Sequence, residues 1–276
     1  QRLDADGTLV SELPPELDRV LVDHGYKARV GPLSLSTLEH RISVLSKIHQ
    51  LQSAANPCAQ ARVRELLART RRAYAKRGAL PAKKPALTRE PLEALLDTCD
   101  DSLPGVRDRA LLLFAFSSGG RRRSEVTAAT IENTRREGEI FMFTLATSKS
   151  NQTGADRAEN VKPIAGRAAD ALAAWLAASR INSGPIFRRV RRGGGIGEPL
   201  SPGAVRDIVK RRCTLAGLAE PYSAHSLRSG FVTEAARQGI PLGDAMALTG
   251  HRSTASLVAY FRPDVSESRA ARLLDK

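Results

Sequence analysis

The spacing of apolar residues predicts helices in the first third of the chain. Four apolar residues recur at intervals of three or four between Leu38 and Ile48, behind two serines suited to cap a helix N-terminus. A second helix is expected from 57 to about 77, because proline suits a first helical turn and Gly78 suits a helix end. Prolines and lysines then crowd together, as is typical of an extended linker. These patterns predict a helical domain over 1–79, a linker over 80–87 and a second domain over 88–276.

The second domain mixes helical and strand periodicity. Helices are expected after Thr88, over 106–116, from 166 to about 182, from Ser201 to 217, over 223–238 and over 242–248, followed by a last pair. Residues 139–146 are rich in Ile, Phe, Met and Thr, which favours a strand, and the polar stretch 148–160 leads to a second strand near 161–164. The fold class is therefore predicted to be mainly α with a small antiparallel β-sheet (α+β).

The charge balance points to a polyanionic partner. The chain holds 43 Lys+Arg against 29 Asp+Glu, a formal net charge of +14, and such a surplus repels itself unless phosphate neutralises it. Residues 57–84 contain nine basic residues and a single acid, Glu65. Other basic clusters lie at 121–123, 135–136, 188–192 and 210–212. Nucleic acid is the leading candidate, and a basic but otherwise ordinary enzyme is the alternative.

The sequence gives little support for membrane, metal or cofactor chemistry. The longest apolar run, 110–116, is far below the ~20 residues that cross a bilayer. The cysteines and histidines show no metal-ligand spacing. The glycine run 193–195 is not followed by the Gly-Lys-Ser/Thr of a phosphate-binding P-loop. We therefore expect a cytoplasmic, nucleoid-associated protein with no cofactor, no metal and no membrane partner.

Candidate chemistry begins with His225 and Arg228. Residues three apart lie on one face of a helix, so this pair is suited to bind one phosphate, although a solvated polar face is the alternative. Downstream, Thr249-Gly250-His251 is followed nine residues later by Tyr260. Ser253 is suited to cap the helix that follows. That cap would place His251 in the preceding turn and Tyr260 two turns into the helix, with both side chains facing one cavity.

Two further basic groups join this set. The stretch Gly119-Gly-Arg-Arg-Arg-Ser-Glu125 places a carboxylate at helical spacing from Arg122, and Lys149 begins the polar hairpin tip. In the order Arg, Lys, His-x-x-Arg, His, Tyr, these residues resemble the tyrosine recombinase (phage integrase) family, over about 85–276. The family's Thr-Gly-apolar triplet before the first arginine is Gly119-Gly120-Arg121 here, so the register among the three arginines stays open. Lys162, on the returning strand, is the alternative to Lys149.

The resemblance implies a two-domain tyrosine recombinase architecture, with a helical N-terminal core-binding domain followed by a catalytic domain. It implies a site-specific DNA recombinase or integrase that forms a 3′-phosphotyrosyl intermediate without metal or ATP. A phenol keeps its proton at neutral pH and needs a base, while guanidinium forks suit the charge that grows on a reacting phosphate. The implied roles are phosphate clamp for Arg122 and Arg228, base for His225, acid for Lys149, phosphate hydrogen bond for His251, nucleophile for Tyr260 and supporting carboxylate for Glu125.

The resemblance also implies partners. The expected assembly is a homotetramer on double-stranded DNA with specific recombination sites, joined by accessory DNA-bending proteins. Contacts with the DNA backbone are expected from Arg69, Arg72, Lys76, Lys83, Lys84, Arg121 and Arg123. Because the chain begins with glutamine, a preceding N-terminal arm stays open.

Three rival functions remain at this stage. A type IB topoisomerase-like enzyme shares the active-site logic and would relax supercoils without exchanging partners. A non-catalytic DNA-binding regulator of the same fold would bind DNA without cleaving it. A magnesium-dependent nuclease or transposase would require a metal ion.

Overall fold

A computed structural model of the chain describes residues 2–3, 9–10, 14–78, 84–145, 160–219, 222–251, 253–258 and 260. The chain divides into two compact units, residues 1–83 and 84–276. Several predicted features lie outside the described residues. These are Lys83, Lys149, the hairpin tip and the final helix.

The first unit is helical apart from a short antiparallel strand pair. Its elements are β1 (Arg2–Leu3), β2 (Leu9–Val10), α1 (Pro15–Asp23), α2 (Leu35–Leu51), a 3₁₀ helix (Pro57–Ala59) and α3 (Ala61–Lys76). Ser34 caps α2 by accepting the backbone N–H of Thr37 at 3.2 Å, as one of the two predicted caps. The single helix expected from 57 is interrupted, because Gln60 is extended and separates the 3₁₀ helix from α3.

Packing in the first unit rests on a few buried polar contacts. Tyr74 of α3 donates its hydroxyl to the carbonyl of Leu33 at 2.6 Å, and Asp18 of α1 pairs with Lys27. The apolar face predicted for α2 is only partly covered, since Leu45 and Ile48 are exposed. The first unit therefore buries much less apolar surface than the second.

The second unit contains most of the helices and two small antiparallel sheets. Its helices are α4 (Arg89–Asp97), α5 (Leu103–Ser117), α6 (Arg123–Thr127), α7 (Arg167–Ser179), α8 (Pro202–Leu215), α9 (Ala224–Arg237), α10 (Leu242–Thr249) and α11 (Thr254–Val258). Its strands are β3 (Thr134–Glu137), β4 (Ile140–Thr144), β5 (Val161–Ile164), β6 (Arg188–Val190) and β7 (Ile196–Pro199). The fold is mainly helical with small antiparallel sheets, as the sequence predicted.

The predicted pairing of β4 with β5 is confirmed, with Phe143 opposite Lys162. The sequence analysis did not predict the short strands β1 and β2 of the first unit, nor three strands of the second unit. Strand β3 adds to the outer side of β4, but three of its four residues are exposed, so its sequence lacks the apolar alternation of a half-buried strand. Strands β6 and β7 form a hairpin whose turn holds the glycine run 193–195, a composition more typical of a loop.

The core of the second unit is built around α5. Phe114 lies between two aromatic rings, with its centroid 5.0 Å from that of Phe143 in β4 and 5.3 Å from that of Phe187. Trp175 of α7 is fully buried and donates its indole N–H to the carbonyl of Ile186 at 2.9 Å. These contacts pack β4 and the segment before β6 against α5, and they join α7 to that same segment.

A buried carboxylate gathers three arginines beneath this core. Asp108 of α5 is 0% exposed and accepts hydrogen bonds from Arg107, Arg211 and Arg212 at 2.6–3.0 Å. In the sequence, the basic cluster 210–212 favours nucleic-acid binding. That interpretation is wrong for Arg212, which is buried and pairs internally with a carboxylate more than one hundred residues away in the sequence.

In the described part of the chain, every helix is too short or too polar to cross a lipid bilayer.

Candidate active site

Four segments of the second unit meet at one cleft. They are the turn after α5, the start of α6, the start of α8 and the start of α9. Gly120, with φ of 68°, brings the turn after α5 against α9, because a Cβ there would overlap the Cα of Arg228. The cleft has a volume of about 270 Å³. It is lined by Arg121, Arg122, Arg123, Ser124, Pro202, Ala224, His225 and Arg228.

Tyr260 lies among three of the predicted site residues. Its ring centroid is 5.2 Å from that of His225 and 5.0 Å from that of His251. The Cζ of Arg228 lies 5.5 Å from the same centroid. The predicted proximity of His251 and Tyr260 is therefore present.

The predicted position of Tyr260 within its helix is wrong. Ser253 caps α11 through the backbone N–H of Ser256 at 3.2 Å, as expected, but α11 ends at Val258. Tyr260 follows in a tight turn, where its N–H donates to the carbonyl of Leu257 at 2.9 Å. On a continuous helix, the nine-residue spacing would place His251 and Tyr260 on opposite sides. Because α11 is short, the two side chains can lie together.

Arg228 is buried at the centre of the site and is only 1% exposed. Its Nη1 donates to the carbonyl of Gly120 at 3.2 Å, and its Nη2 donates to the carbonyl of Thr249 at 2.8 Å. Its Nε has no hydrogen-bond partner among the described residues. Burial, followed by repulsion from Arg122, lowers the pKa of Arg228, while the Glu125 carboxylate and the phenol oppose that shift.

Hydrogen bonds determine which ring nitrogen of His251 carries the proton. The Nη2 of Arg228 lies 3.1 Å from Nε2 of His251, and a guanidinium only donates, so Nε2 is the acceptor. The proton therefore sits on Nδ1, which lies 2.8 Å from the hydroxyl of Thr249. Burial, followed by repulsion from the nearby guanidinium groups, lowers the pKa of the His251 imidazole to about 4. In this arrangement His251 is neutral and its Nε2 accepts, which differs from the donor role predicted from the sequence.

The structure distinguishes the three consecutive arginines. Arg122 lines the cleft with its side chain 33% exposed, and its Nη1 donates to Oε1 of Glu125 at 2.6 Å. Arg123 is exposed. Arg121 is only 2% exposed and donates to the carbonyl of Leu248, so part of its guanidinium is bound within the protein, and its contact with a DNA backbone stays a prediction. Arg121 directly follows Gly119 and Gly120, whose backbones closely approach α10 and α9. This position after two glycines is the feature of the sequence that could have identified Arg121 as buried.

Glu125 lies beneath Arg121 and Arg122. Its Oε2 also accepts the backbone N–H of Arg122 at 3.0 Å, which caps α6. Burial raises the pKa of the Glu125 carboxyl, but the charge of Arg121 and the hydrogen bonds from Arg122 outweigh burial and bring the pKa below its ordinary value. Glu125 therefore holds Arg122 as an ionised partner.

The remaining predicted residues fall into three groups. Lys149 and Lys83 lie outside the described residues. Lys162, the alternative to Lys149, is buried on β5 and donates to the carbonyl of Ala247. The remaining basic residues predicted to contact DNA are exposed, namely Arg69, Arg72, Lys76, Lys84 and Arg123.

Within the described ranges, no three or more His, Cys, Asp and Glu side chains are grouped so that they could hold a metal ion.

Comparison with known proteins identifies the family. Residues 85–267 match the phage integrase family. The chain therefore belongs to the phage integrase family, whose members are the tyrosine recombinases.

Several curated relatives carry recombinase names. An integrase/recombinase xerD homolog of Selenomonas ruminantium is 32% identical over 236 residues, which cover 82% of this chain and 67% of the relative. Tyrosine recombinase XerC 2 of Ralstonia nicotianae is 30% identical and covers 67% of this chain and 51% of the relative. The chain thus spans about two thirds of the first relative and about half of the second.

Solved structures share the fold at low sequence identity. The XerA recombinase has a TM-score of 0.54 at 16% identity and covers 95% of this chain and 90% of that structure. The Tn1549 transposon integrase in complex with transposon right end DNA has a TM-score of 0.59 at 14% identity, covering 95% and 83%. A lambda integrase dimer bound to a core site has a TM-score of 0.52 at 17% identity, covering 92% and 95%.

Proposed function

We propose that this chain is a site-specific DNA recombinase or integrase that cleaves and rejoins DNA strands through Tyr260. The observation that carries the proposal is the convergence of a phenol, two imidazoles and a buried arginine, with ring centroids 5.0–5.2 Å apart. A second arginine, Arg122, lines the cleft beside them. Membership of the phage integrase family and the recombinase names of the relatives support the same function.

The reaction is a transesterification. The Oη of Tyr260 attacks the scissile phosphorus, a tyrosyl O–P bond forms, and the bond from phosphorus to the 5′ oxygen breaks. His225 accepts the phenolic proton, and Lys149 donates a proton to the departing 5′ oxygen. One phosphoester replaces another, so no ATP is needed, and the reverse reaction onto a different 5′-hydroxyl rejoins the strand.

Lys149 is the better candidate for the acid because of where Lys162 lies. The Lys162 ammonium is buried and donates to a main-chain carbonyl at the end of α10. It would have to leave that site to reach a DNA oxygen. Lys149 begins the polar stretch between β4 and β5, where the sequence predicts an exposed tip.

Arg122 and Arg228 form the phosphate clamp. The unpartnered Nε–H of Arg228 is a donor for a phosphate oxygen, and Glu125 holds Arg122 beside it. Because Arg228 is nearly fully covered, the ring of Tyr260 moves aside when a phosphate enters. Burial and the nearby arginine charges keep His251 neutral in the free protein, and the negative phosphate opposes those arginine charges, which favours a protonated His251 able to donate.

The first unit supplies a second DNA contact in this proposal. Residues 1–79 act as the core-binding domain, 80–87 as the linker and 88–276 as the catalytic domain. Arg69, Arg72 and Lys76 recur at helical spacing and are exposed on α3, as a phosphate-binding face requires. Lys83, Lys84 and Arg123 extend these contacts along the duplex. The substrate is double-stranded DNA with specific recombination sites, and the protein works at the nucleoid in the cytoplasm.

The proposed assembly is a homotetramer on DNA, aided by accessory DNA-bending proteins. An apolar groove of about 210 Å³ lies beside the site, lined by Val232, Ala236, Ile240, Leu242, Ala245, Leu257 and Val258. We assign it to the segment 266–276 of a neighbouring copy, whose Leu273 and Leu274 supply apolar side chains. Crosslinking with and without DNA tests this, and tetramers absent in both conditions would contradict it.

A suicide DNA substrate tests the activity. The DNA sites are first recovered by sequencing the DNA bound in cells. Wild-type protein is expected to form a covalent adduct in the presence of EDTA, whereas Tyr260→Phe, which keeps the ring, is expected to bind the site without an adduct. Specific binding by the wild type with no adduct would indicate a regulator and refute the proposal. Supercoil relaxation without strand exchange would indicate a topoisomerase, and activity lost in EDTA would indicate a metal-dependent nuclease.

A further inference from the structure

The C-terminus of α10 binds three buried cations from three different segments. Lys162 of β5 donates to the carbonyl of Ala247. Arg121 donates to the carbonyl of Leu248 at 2.5 Å, and Arg228 of α9 donates to that of Thr249. These consecutive carbonyls have no acceptor role inside the helix and lie at the negative end of its dipole. The turn that carries His251 follows directly, because Gly250 ends α10 in the left-handed conformation.

Arg121 connects this helix end to the other half of the site. Its Nη1 lies 3.6 Å from Oε2 of Glu125, and the second oxygen of that carboxylate holds Arg122. A continuous path therefore runs from Leu248, through the guanidinium and the carboxylate, to Arg122. Gly119 permits the close approach, since a Cβ at that position would lie 2.5 Å from the Leu248 carbonyl.

We propose that Arg121 is a positioning residue, which holds the Arg122–Glu125 pair in place relative to the turn that carries His251 and does not itself contact DNA. The inference rests on the proposed function, since it concerns the geometry of the same site. A planar guanidinium places one nitrogen near a carboxylate while another donates to a carbonyl, which a point charge does less well. Burial, opposed by Glu125, lowers the pKa of Arg121 to about 10, so the group remains a charged donor at neutral pH.

Arg121→Met, Arg121→Lys and a control, Arg107→Met, form the test set. Arg107 is also a buried arginine paired with a buried carboxylate in the second unit, so the control removes a comparable ion pair away from the site. Two properties are measured for each variant. One is the rate of adduct formation on the suicide substrate, and the other is the titration and tautomer of His251 from ring ¹⁵N NMR of the free protein.

Both Arg121 variants are expected to form adduct roughly tenfold to a hundredfold more slowly, because a displacement of about 1 Å in reacting groups has that effect. Both are expected to weaken the preference of His251 for a proton on Nδ1. Only Arg121→Met is expected to raise the His251 pKa, since Lys keeps the positive charge. His251 is faced by the guanidinium groups of Arg122 and Arg228, the Thr249 hydroxyl and the Tyr260 ring, which stay in all three variants. Arg107→Met is expected to lower stability and leave both measurements unchanged.

Wild-type adduct rates in both Arg121 variants would overturn the inference, as would an equal slowing in Arg107→Met. If Arg121→Met does not fold, the Lys variant decides, because a wild-type rate there would show that the bridge is not needed. The NMR measurement needs no DNA. It separates this inference from the proposed function: if the wild type forms no adduct, a His251 tautomer unchanged in the Arg121 variants still overturns the positioning role.

Discussion

Replacing Asp108 with Asn removes the charge that holds three arginines together. The carboxylate accepts from Nε and Nη2 of Arg107 at 3.0 and 2.6 Å, from Arg211 at 2.6 Å and from Nε of Arg212 at 2.9 Å. The Nη2 of Arg212 lies 2.8 Å from the same carboxylate as an ion pair. The side chains of Arg107 and Arg212 are only 7% and 6% exposed. Asp108→Asn leaves these two guanidinium groups buried without a counter-charge. Breaking a buried pair in this way costs about 3–5 kcal/mol.

Arg211→Gln is the matched control within the same cluster. The Arg211 side chain is 51% exposed, and a solvent-exposed ion pair contributes only about 0–1 kcal/mol. The two variants therefore remove interactions with the same carboxylate but differ in how much buried charge they leave behind. Asp108→Asn is expected to lower the free energy of unfolding of the second unit severalfold more than Arg211→Gln.

Urea denaturation at neutral pH, followed by tryptophan fluorescence, measures the effect. Trp175 is the only tryptophan in the chain and is buried in the second unit, so its emission reports the unfolding of that unit. The rate of adduct formation, measured at a temperature where both variants are folded, is expected to match that of the wild type. A loss below about 1 kcal/mol for Asp108→Asn, or an equal loss for both variants, would refute the reasoning.

Four further predictions concern the site and its DNA-binding surface. Glu125→Gln releases Arg122 and is expected to slow adduct formation roughly 10–100-fold on the suicide substrate. Gly120→Ala forces a Cβ onto α9 and is expected to lower both the melting temperature and the adduct rate, whereas an unchanged melting temperature would contradict the close approach. Because the pKa of His251 is lowered, its contribution to the free energy of unfolding is complete above pH ~6.5 and declines as the pH falls towards about 4. This decline should be absent when the free energy of unfolding of His251→Gln is measured against pH. Replacing Arg69, Arg72 and Lys76 of α3 by glutamine should make the slope of log affinity against log salt concentration shallower. The expected change is about 0.9 for each DNA phosphate that the protein no longer neutralises. An unchanged slope would show that these three residues do not bind DNA.

Features of the site that depend on neighbouring residues could be predicted from the sequence. The three-residue spacing of His225 and Arg228 does place both at the start of α9, and both line the cleft. Capping by Ser253 and the pairing of β4 with β5 also follow from short-range rules. Each of these depends on interactions among residues close in sequence, so periodicity and side-chain type suffice to predict them.

Other features depend on interactions between distant segments. Three adjacent residues are all arginine, yet Arg121 donates to the end of α10, Arg122 pairs with Glu125 and Arg123 is exposed. Their directions are set by the glycine turn after α5 and by the position of α10, which no local pattern encodes. The same reason explains why Arg212 was misread as a surface cation, since its partner lies on α5.

The amino-acid sequence alone reveals the family, the order of the chemical groups along the chain and most helices of the second unit. The folded chain is needed to show which basic side chains face inward, which nitrogen of His251 carries the proton and where Tyr260 lies relative to Arg228. This difference arises from the range of the interactions involved. Helix periodicity and capping act over three or four residues, whereas burial and the pairing of charges depend on which remote segments the fold brings together.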